Sequence, residues 1–402
     1  MDKLIIYFKI FPLIAPAAIA LTTINSAQAA TFNFITDANA PQNLIEAFNS
    51  AGDLWSQHLH DDVTINIEIG LETLPEDMLG GARPDMVRVD YNDVLTQLGL
   101  DQTSTDDNLA VNNLSLLPGG QLSRLINETT INRGKKHLDN TMTDIWMSRA
   151  NAKALGIIEG NNSTVDGQIF ISNSMLWDLD SSNGMDTDSF DLVGTVAHEI
   201  GHVLGFLSGV DILDYQKQIN TPQNDLDYNF VSTMDLFRQS QTSYNSKAMF
   251  DWRVSGEDTY FSLDGGATKI ASFAQGESID NNQTSHWKDN NNLGVMDPSL
   301  APEEIKQIST LDLQLLNAIG WDLQSGSNVD YQTSSASYTL AEDIVDIALT
   351  WGRGSSGSTG HSFRQLAFWQ SSDAAKVPEP TTALSLLGLG LFGSLSFRKK
   401  RF

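Results

Sequence analysis

Apolar and polar residues follow two different periods along the first part of the chain. They alternate in TFNFI (residues 31–35) and VTINIEIGLETL (63–74), which is typical of strands with one buried face. Between these runs, PQNLIEAFNSAGDLWSQHL (41–59) spaces its apolar residues three and four apart, which predicts an amphipathic helix. GQIFIS (167–172) predicts a further short strand. The pattern therefore indicates an α+β fold.

Four other stretches complete the predicted elements. PDMVRVDYNDVLTQL (84–98) predicts a strand or loop that leads into a helix, and HLDNTMTDIWMSRANAKALG (137–156) predicts a helix. Residues 101–116 are polar and rich in Asn and Asp, so we expect a loop there. A Ser/Asn-rich segment (325–337) and a Gly/Ser-rich segment (352–360) indicate flexible linkers.

The N-terminal residues have the features of a signal peptide. Lys3 and Lys9 precede or interrupt an apolar run that ends near Leu21. Ala27 and Ala29 then give the small-x-small pattern that signal peptidase cleaves. We expect residues 1–29 to be removed; the alternative is a transmembrane anchor.

The C-terminal residues carry three features in a fixed order. VPEP (377–380) interrupts the chain, an apolar segment follows (383–397), and a basic cluster (398–401) comes last. This order resembles the PEP-CTERM sorting signal of exported proteins in Gram-negative bacteria and cyanobacteria. The resemblance implies cleavage by an exosortase-type enzyme, transient membrane contact through the tail, and secretion or retention in the cell envelope or extracellular matrix. The alternative is a plain C-terminal membrane anchor.

Composition excludes several classes of function. The 402 residues carry a net charge of −26, which disfavours nucleic acid and anionic membrane surfaces as partners. The chain has no cysteine, so disulfides, a Cys-based zinc site and a thiol nucleophile are excluded. Apolar residues make up 41%, enough for a sizeable core.

The segment VAHEIGHVLGFLSGVD (196–211) contains the motif H-E-x-x-H. His198 and His202 lie four residues apart, so on a helix both imidazoles project from one face and can hold one zinc ion. Glu199 beside them can act as a general base without being a ligand. We expect Asp188 to cap this helix, with Asp191 as its capping-box partner, and Gly205 to end it. The apolar stripe that faces the core comprises Leu192, Val196, Ile200 and Val203.

A zinc ion bound by two histidines needs a third protein ligand. The candidates are Ser208, at the place where a common metzincin motif has histidine, Asp211, a glutamate on a following helix, and His286. Ser208 is a poor ligand, Asp211 fits no ligand pattern, and no suitable glutamate stands in the next thirty residues. His286 is therefore favoured. A closed structural zinc site and a helix with two surface histidines are the alternatives to catalysis.

Gly205, Ser285-His286-Trp287 and Met296 together resemble the leishmanolysin-like metzincins, in particular bacterial PEP-CTERM-associated members. YFSLDGG (260–266) and DLQLLNAIGWDL (312–323) add to the resemblance. It implies a zinc endopeptidase with a twisted mixed sheet, an active-site helix and a smaller C-terminal subdomain. Met296 would form an apolar floor under the metal. The lack of cysteine departs from leishmanolysins and rules out zymogen inhibition by cysteine.

The terminal signals, the linker composition and the resemblance together predict a division of the chain. Residues 1–29 are the signal peptide, 30–325 the catalytic domain, 326–376 a linker and C-terminal extension, and 377–402 the sorting signal. Within the catalytic domain, residues 209–284 form a long insertion before the third ligand. GQIFIS would be the edge strand that holds a peptide substrate in extended form; the alternative is an interior strand.

Two further hypotheses remain open. The acidic turn DLDSSNGMDTD offers four candidate calcium ligands, although its spacing departs from an EF-hand and a solvated turn is the alternative: Asp178, Asp180, Asp186 and Asp188. The rivals to an endopeptidase are a non-catalytic exported matrix or surface protein that retains a zinc site, and an amidase or other zinc hydrolase.

Overall fold

The computed structural model describes residues 29–36, 40–75, 78–129, 132–218, 228–289, 292–324, 361–362 and 370–371. The expected signal peptide and sorting signal lie outside these ranges, apart from the last residue of the former. The described helices are α1 Gln42–Ser56, α2 Tyr91–Leu100, α3 Thr105–Asn113, α4 Arg149–Ala154, α5 Leu192–Leu204, α6 Val210–Gln218, α7 Gln241–Ser246, α8 Glu277–Asp280 and α9 Thr310–Ala318.

The strands fall into one larger sheet and several small ones. They are β1 Thr31–Ile35, β2 Thr64–Glu72, β3 Gly80–Asp90, β4 Arg124–Thr129, β5 Asn132–Asp139, β6 Asp144–Ser148, β7 Gly167–Ser172, β8 Trp177–Asp178, β9 Phe190–Asp191, β10 Arg238–Ser240, β11 Phe250–Asp251, β12 Thr259–Phe261, β13 Ala271–Ser272, β14 Ser299–Leu300, β15 His361–Ser362 and β16 Gln370–Ser371. The predicted α+β class with a mixed sheet is confirmed.

The larger sheet has the order β1-β2-β7-β3-β16, and β6 also pairs with the second half of β3. β1, β2 and β7 are parallel, whereas β3 runs antiparallel to β7. The prediction that GQIFIS is an edge strand is therefore wrong, because β7 is paired on both sides. Ile169 and Ile171 of β7 are fully buried, as expected for an interior strand.

Two predicted elements differ from the structure. Residues 105–113, expected to be loop, form α3, because Ser104 and Asp107 make a capping box at its start. The helix expected over residues 137–156 is reduced to α4. The preceding residues form β6, because pairing with β3 takes them into the sheet.

The described residues of the expected insertion between Gly209 and Thr284, 209–218 and 228–284, form regular elements that pack into the core. The region contains α6, the sheet β10-β12-β13, and β11, which pairs with β4 of the β4–β5 hairpin. Trp252 and Phe261 in this region are fully buried. The region therefore contributes to the core and also connects the two parts of the motif.

The helix that carries the motif, α5, contacts α1, β3 and β7. The indole nitrogen of Trp55 in α1 donates to the carbonyl of Ala197 at 2.9 Å and fixes the two helices against each other. The stripe predicted to face the core is buried throughout: Leu192, Val196, Ile200 and Val203.

Candidate metal centre

Local hydrogen bonds fix where the motif helix begins and ends. The side chain of Asp191 caps α5 by accepting from the amide of Gly194 at 3.0 Å. The prediction that Asp188 caps the helix is wrong, because β8 and β9 pair through Asp191 and hold the chain extended up to that residue. Gly205 ends the helix with a left-handed φ of 119°, as predicted.

Glycine within α5 allows the turn that contains Met296 to approach closely. A Cβ on Gly201 would overlap the sulfur of Met296. Met296 is fully buried and packs against the helix at Gly201, the residue before His202.

Three imidazoles converge on one point although the third lies 84 residues beyond the second in sequence. The Nε2 atoms of His198 and His286 are 3.1 Å apart, and those of His202 and His198 are 3.2 Å apart. All three side chains are fully buried. The structure therefore brings the three residues predicted as zinc ligands together.

The other ring nitrogen of each imidazole faces a backbone carbonyl. His198 Nδ1 lies 2.6 Å from Val295 O, and His202 Nδ1 lies 2.7 Å from Phe206 O. The His286 Nδ1 atom is 3.2 Å from Gln283 O. A carbonyl can only accept a hydrogen bond, so each neutral ring carries its proton on Nδ1 and a lone pair on Nε2.

The Nε2 lone pair of His198 faces those of His286 and His202 at 3.1 and 3.2 Å, and these lone pairs repel because no proton lies between them. A cation at their meeting point converts this repulsion into coordination. A tetrahedral zinc ion with bonds of about 2.0–2.1 Å separates its ligands by roughly 3.3 Å, so the spacing fits. Burial and the neighbouring rings hold the pKa of His198 well below its usual value, and burial lowers that of His202 to about 4, which favours the neutral, ligating form.

Glu199 lies in the same buried space. It is fully buried, and neither carboxylate oxygen has a hydrogen-bond partner. Desolvation raises its pKa well above the usual value. A Cβ on Gly80 would lie 3.0 Å from its Oε1, so glycine in β3 leaves room for the carboxylate. A buried carboxyl without partners is costly and calls for a functional explanation.

The two rejected candidates for the third ligand face other groups. Ser208 donates its hydroxyl to Asp235 at 2.5 Å. Asp211 accepts from the amide and the hydroxyl of Thr284, at 2.5 and 2.7 Å. Ser208 also donates its amide to Ser285 at 2.8 Å, so both residues contact the segment that precedes His286. The Nδ1 atom of His286 faces the carbonyl of Gln283, whereas Asp289, three residues further on, accepts from Ser299.

Asp312 was not recognised as a site residue from the sequence. Its Oδ1 accepts from the Trp287 indole at 2.8 Å and from Met296 N at 3.3 Å. Its Oδ2 accepts from Val295 N at 2.9 Å and Ser309 N at 2.7 Å. One buried carboxylate thus joins the segment after His286 to the methionine turn. The one sequence signal was the Ser309–Asp312 spacing of a capping box, which the structure contains.

The acidic turn is organised by its own hydrogen bonds. Asp178 accepts from the amides of Asp180 and Asp186 at 2.8 and 2.7 Å, and Asp180 accepts from Ser182 N at 3.1 Å. Asp188 has a left-handed φ of 61° and donates its amide to Glu303 at 3.3 Å. Within the described ranges, the three histidines are the one group of three or more His, Cys, Asp or Glu whose ligand atoms lie within 4.8 Å of one another.

Comparison with known families identifies the C-terminal tail. Residues 376–401 match the PEP-CTERM protein-sorting motif, as predicted. This motif is a sorting signal recognised by an exosortase, and it indicates an exported protein of a Gram-negative-type bacterium, associated with the cell envelope or extracellular space. No curated protein and no solved structure matches the chain.

No helix in the part of the chain that the structure describes is long and apolar enough to cross a membrane. The apolar segment predicted to contact the membrane, residues 383–397, lies outside the described ranges.

Proposed function

We propose that this chain is an exported zinc-dependent endopeptidase of the leishmanolysin-like metzincin type. The observation that carries the proposal is the meeting of three imidazole lone pairs beside a buried glutamate without hydrogen-bond partners. In a closed structural zinc site an unpaired carboxyl group beside the ligands would have no function, whereas hydrolysis needs a general base at that position.

In this proposal zinc is held by His198, His202 and His286, and when bound it polarises the scissile carbonyl and acidifies water. Glu199 takes a proton from the attacking water and delivers it to the leaving amine. Desolvation raises the pKa of Glu199, which strengthens the carboxylate as a base. The carbonyls of Val295, Phe206 and Gln283 hold the rings in the ligating tautomer.

The substrate-binding strand proposed here is β3, in place of β7. Ser172 N donates to Leu79 O, and Asp85 N donates to Asp166 O. The backbone N–H and C=O groups of the odd-numbered residues in β3 therefore point toward β7. The peptide groups of Gly80 and Ala82 therefore point to the opposite edge, where no described strand pairs with them. A Cβ on Gly80 would lie 3.0 Å from Glu199 Oε1, so a peptide added along this edge would pass near the proposed base.

A peptide substrate must be able to reach the proposed metal site. The three histidines, Glu199 and Ala82 are fully buried, so the site must open before a peptide reaches it. A short fluorogenic peptide should therefore be tested beside casein, because the smaller substrate needs less opening.

The test compares the wild-type chain with Glu199→Gln. Glutamine keeps the size of glutamate but cannot accept the proton, so hydrolysis should fall by about 10²-fold or more. Zinc content should stay near one per chain, because Glu199 is not a ligand. Full activity in the variant would remove Glu199 from the mechanism.

The sorting motif by itself also suits a second candidate, a non-catalytic exported matrix protein. That reading predicts bound zinc without hydrolysis in the wild type, which the same assay detects. A panel of non-peptide amides and esters distinguishes an endopeptidase from another zinc hydrolase.

A further inference from the structure

A buried carboxylate connects the chain after the motif helix to the residue before His286. Asp211 lies in the first turn of α6 and is 8% exposed. Its Oδ1 accepts from the amide and hydroxyl of Thr284 at 2.5 and 2.7 Å, and its Oδ2 accepts from the hydroxyl of Ser285. Three hydrogen bonds from one side chain therefore fix the two residues that precede the proposed third ligand.

A second contact holds the same place from the other direction. The hydroxyl of Ser285 also accepts from the amide of Ser208 at 2.8 Å. The segment after Gly205 thus contacts Ser285 through a backbone amide and through a carboxylate. These links span 73 to 77 residues of sequence.

His286 depends on such anchoring more than the other two ligands. The helix backbone of α5 sets the positions of His198 and His202. The contact from His286 Nδ1 to Gln283 is the longest of the three ring-to-carbonyl contacts, 3.2 Å against 2.6 and 2.7 Å. The ring of His286 is therefore placed mainly by the backbone that leads to it.

We infer that Asp211 is a positioning residue for the third metal ligand, acting through Thr284 and Ser285. The inference rests on the proposed metal site and adds a residue that supports it without ligating. Residues that hold metal ligands in place typically contribute 10- to 100-fold to metal affinity. Loss of Asp211 should therefore weaken zinc binding by roughly this factor, while the three imidazoles remain in the chain.

The chain offers a matched control on the same helix. Asp214 is 2% exposed and accepts from the amide of Ser278 at 3.0 Å and from the Ser278 hydroxyl. It has the same kind of partners as Asp211, but these lie in α8, eight residues before His286. Asp211→Ala and Asp214→Ala therefore remove similar interactions, but only Asp211→Ala frees the residues directly before His286.

The experiment measures zinc affinity by chelator competition and the absorption spectrum of the cobalt-substituted protein, with the unfolding midpoint of the metal-free protein beside them. We expect Asp211→Ala to raise the zinc dissociation constant about 10- to 100-fold and to change the cobalt spectrum. Asp214→Ala should leave the zinc dissociation constant within about threefold of wild type and the cobalt spectrum unchanged. Both variants should lower the unfolding midpoint, because each loses buried hydrogen bonds.

Equal effects of the two variants on zinc affinity, or no effect of either, would overturn the inference. If Asp211→Ala does not fold, Ser285→Ala removes one link alone and should weaken zinc binding in the same direction; unchanged affinity there would also overturn it. Wild type that binds no zinc refutes the proposed site and the inference together. Wild type that binds zinc and hydrolyses peptides, with Asp211→Ala unchanged, refutes the inference alone.

Discussion

Replacing Asp312 by asparagine should lower the stability of the protein and also weaken zinc binding at the proposed metal site. Asp312 is fully buried and uses both carboxylate oxygens, one for Trp287 and Met296, the other for Val295 and Ser309. Asparagine has one acceptor oxygen, so in either orientation its NH₂ group meets two donors. Two hydrogen bonds to a charged group are lost, and two N–H groups lose their acceptor.

The magnitude follows from those two bonds. Hydrogen bonds to charged groups contribute about 1.5–3 kcal/mol each, so Asp312→Asn should lower the free energy of unfolding by about 3 kcal/mol or more. That is a large share of the roughly 5–15 kcal/mol that stabilises a typical domain. Zinc affinity should fall as well, because Val295 O faces His198 and Trp287 follows His286.

Asp107→Asn is the matched control for this prediction. Asp107 occupies the same capping-box position at the start of α3, but its partners Thr103 and Ser104 all contact Oδ2, while Oδ1 has none. Asparagine can place its oxygen toward these donors and its NH₂ group in the unpartnered position. We therefore expect a loss below about 1 kcal/mol. Urea unfolding of the metal-free proteins measures both values, and an Asp312→Asn loss no larger than that of Asp107→Asn would refute the reasoning.

Two further predictions concern the third ligand and pH. His286→Ala should lose most bound zinc, which metal analysis after dialysis measures; zinc retained near one per chain would remove His286 from the ligand set. Burial and the neighbouring Asp322 and Asp101 raise the pKa of Asp61 to about 8. The folded state then binds the extra proton between about pH 4 and 8, so Asp61 lowers stability increasingly as pH rises through that window. Urea unfolding of the metal-free protein at pH 5 and pH 8 should show a smaller pH-dependent loss for Asp61→Asn than for wild type; equal losses would contradict the assignment.

Local patterns predicted the parts of the site that local geometry determines. His198 and His202 lie on one helix, so their four-residue spacing is enough to bring the rings together. Gly205 was identified as the helix end because its left-handed conformation favours glycine. His286 could be singled out because few histidines compete for the role and Met296 follows at a short distance.

Features that depend on contacts between distant residues could not be predicted in this way. The strand GQIFIS has the same sequence whether β3 pairs with it or leaves it at an edge, so its interior position required the fold. Asp191 caps α5 in place of the predicted Asp188, because β8 pairs with β9, and local spacing does not show this pairing. The capping box of α3 was visible as Ser104 and Asp107, but the helix lacks the apolar periodicity that would have indicated it.

The buried carboxylates around the proposed metal centre differ in one respect that separates support from chemistry. Asp211, Asp235 and Asp312 each accept hydrogen bonds from several N–H or O–H groups. Asp211 holds the segment before His286, Asp235 holds the segment after the motif helix, and Asp312 holds the methionine turn. Glu199 is equally buried and accepts none. Satisfied groups stabilise the fold in which they lie, whereas a buried carboxylate left without partners destabilises it. Glu199 alone of these four lacks a partner, and it lies next to His198 of the three converging imidazoles, as the proposed role of Glu199 as general base requires.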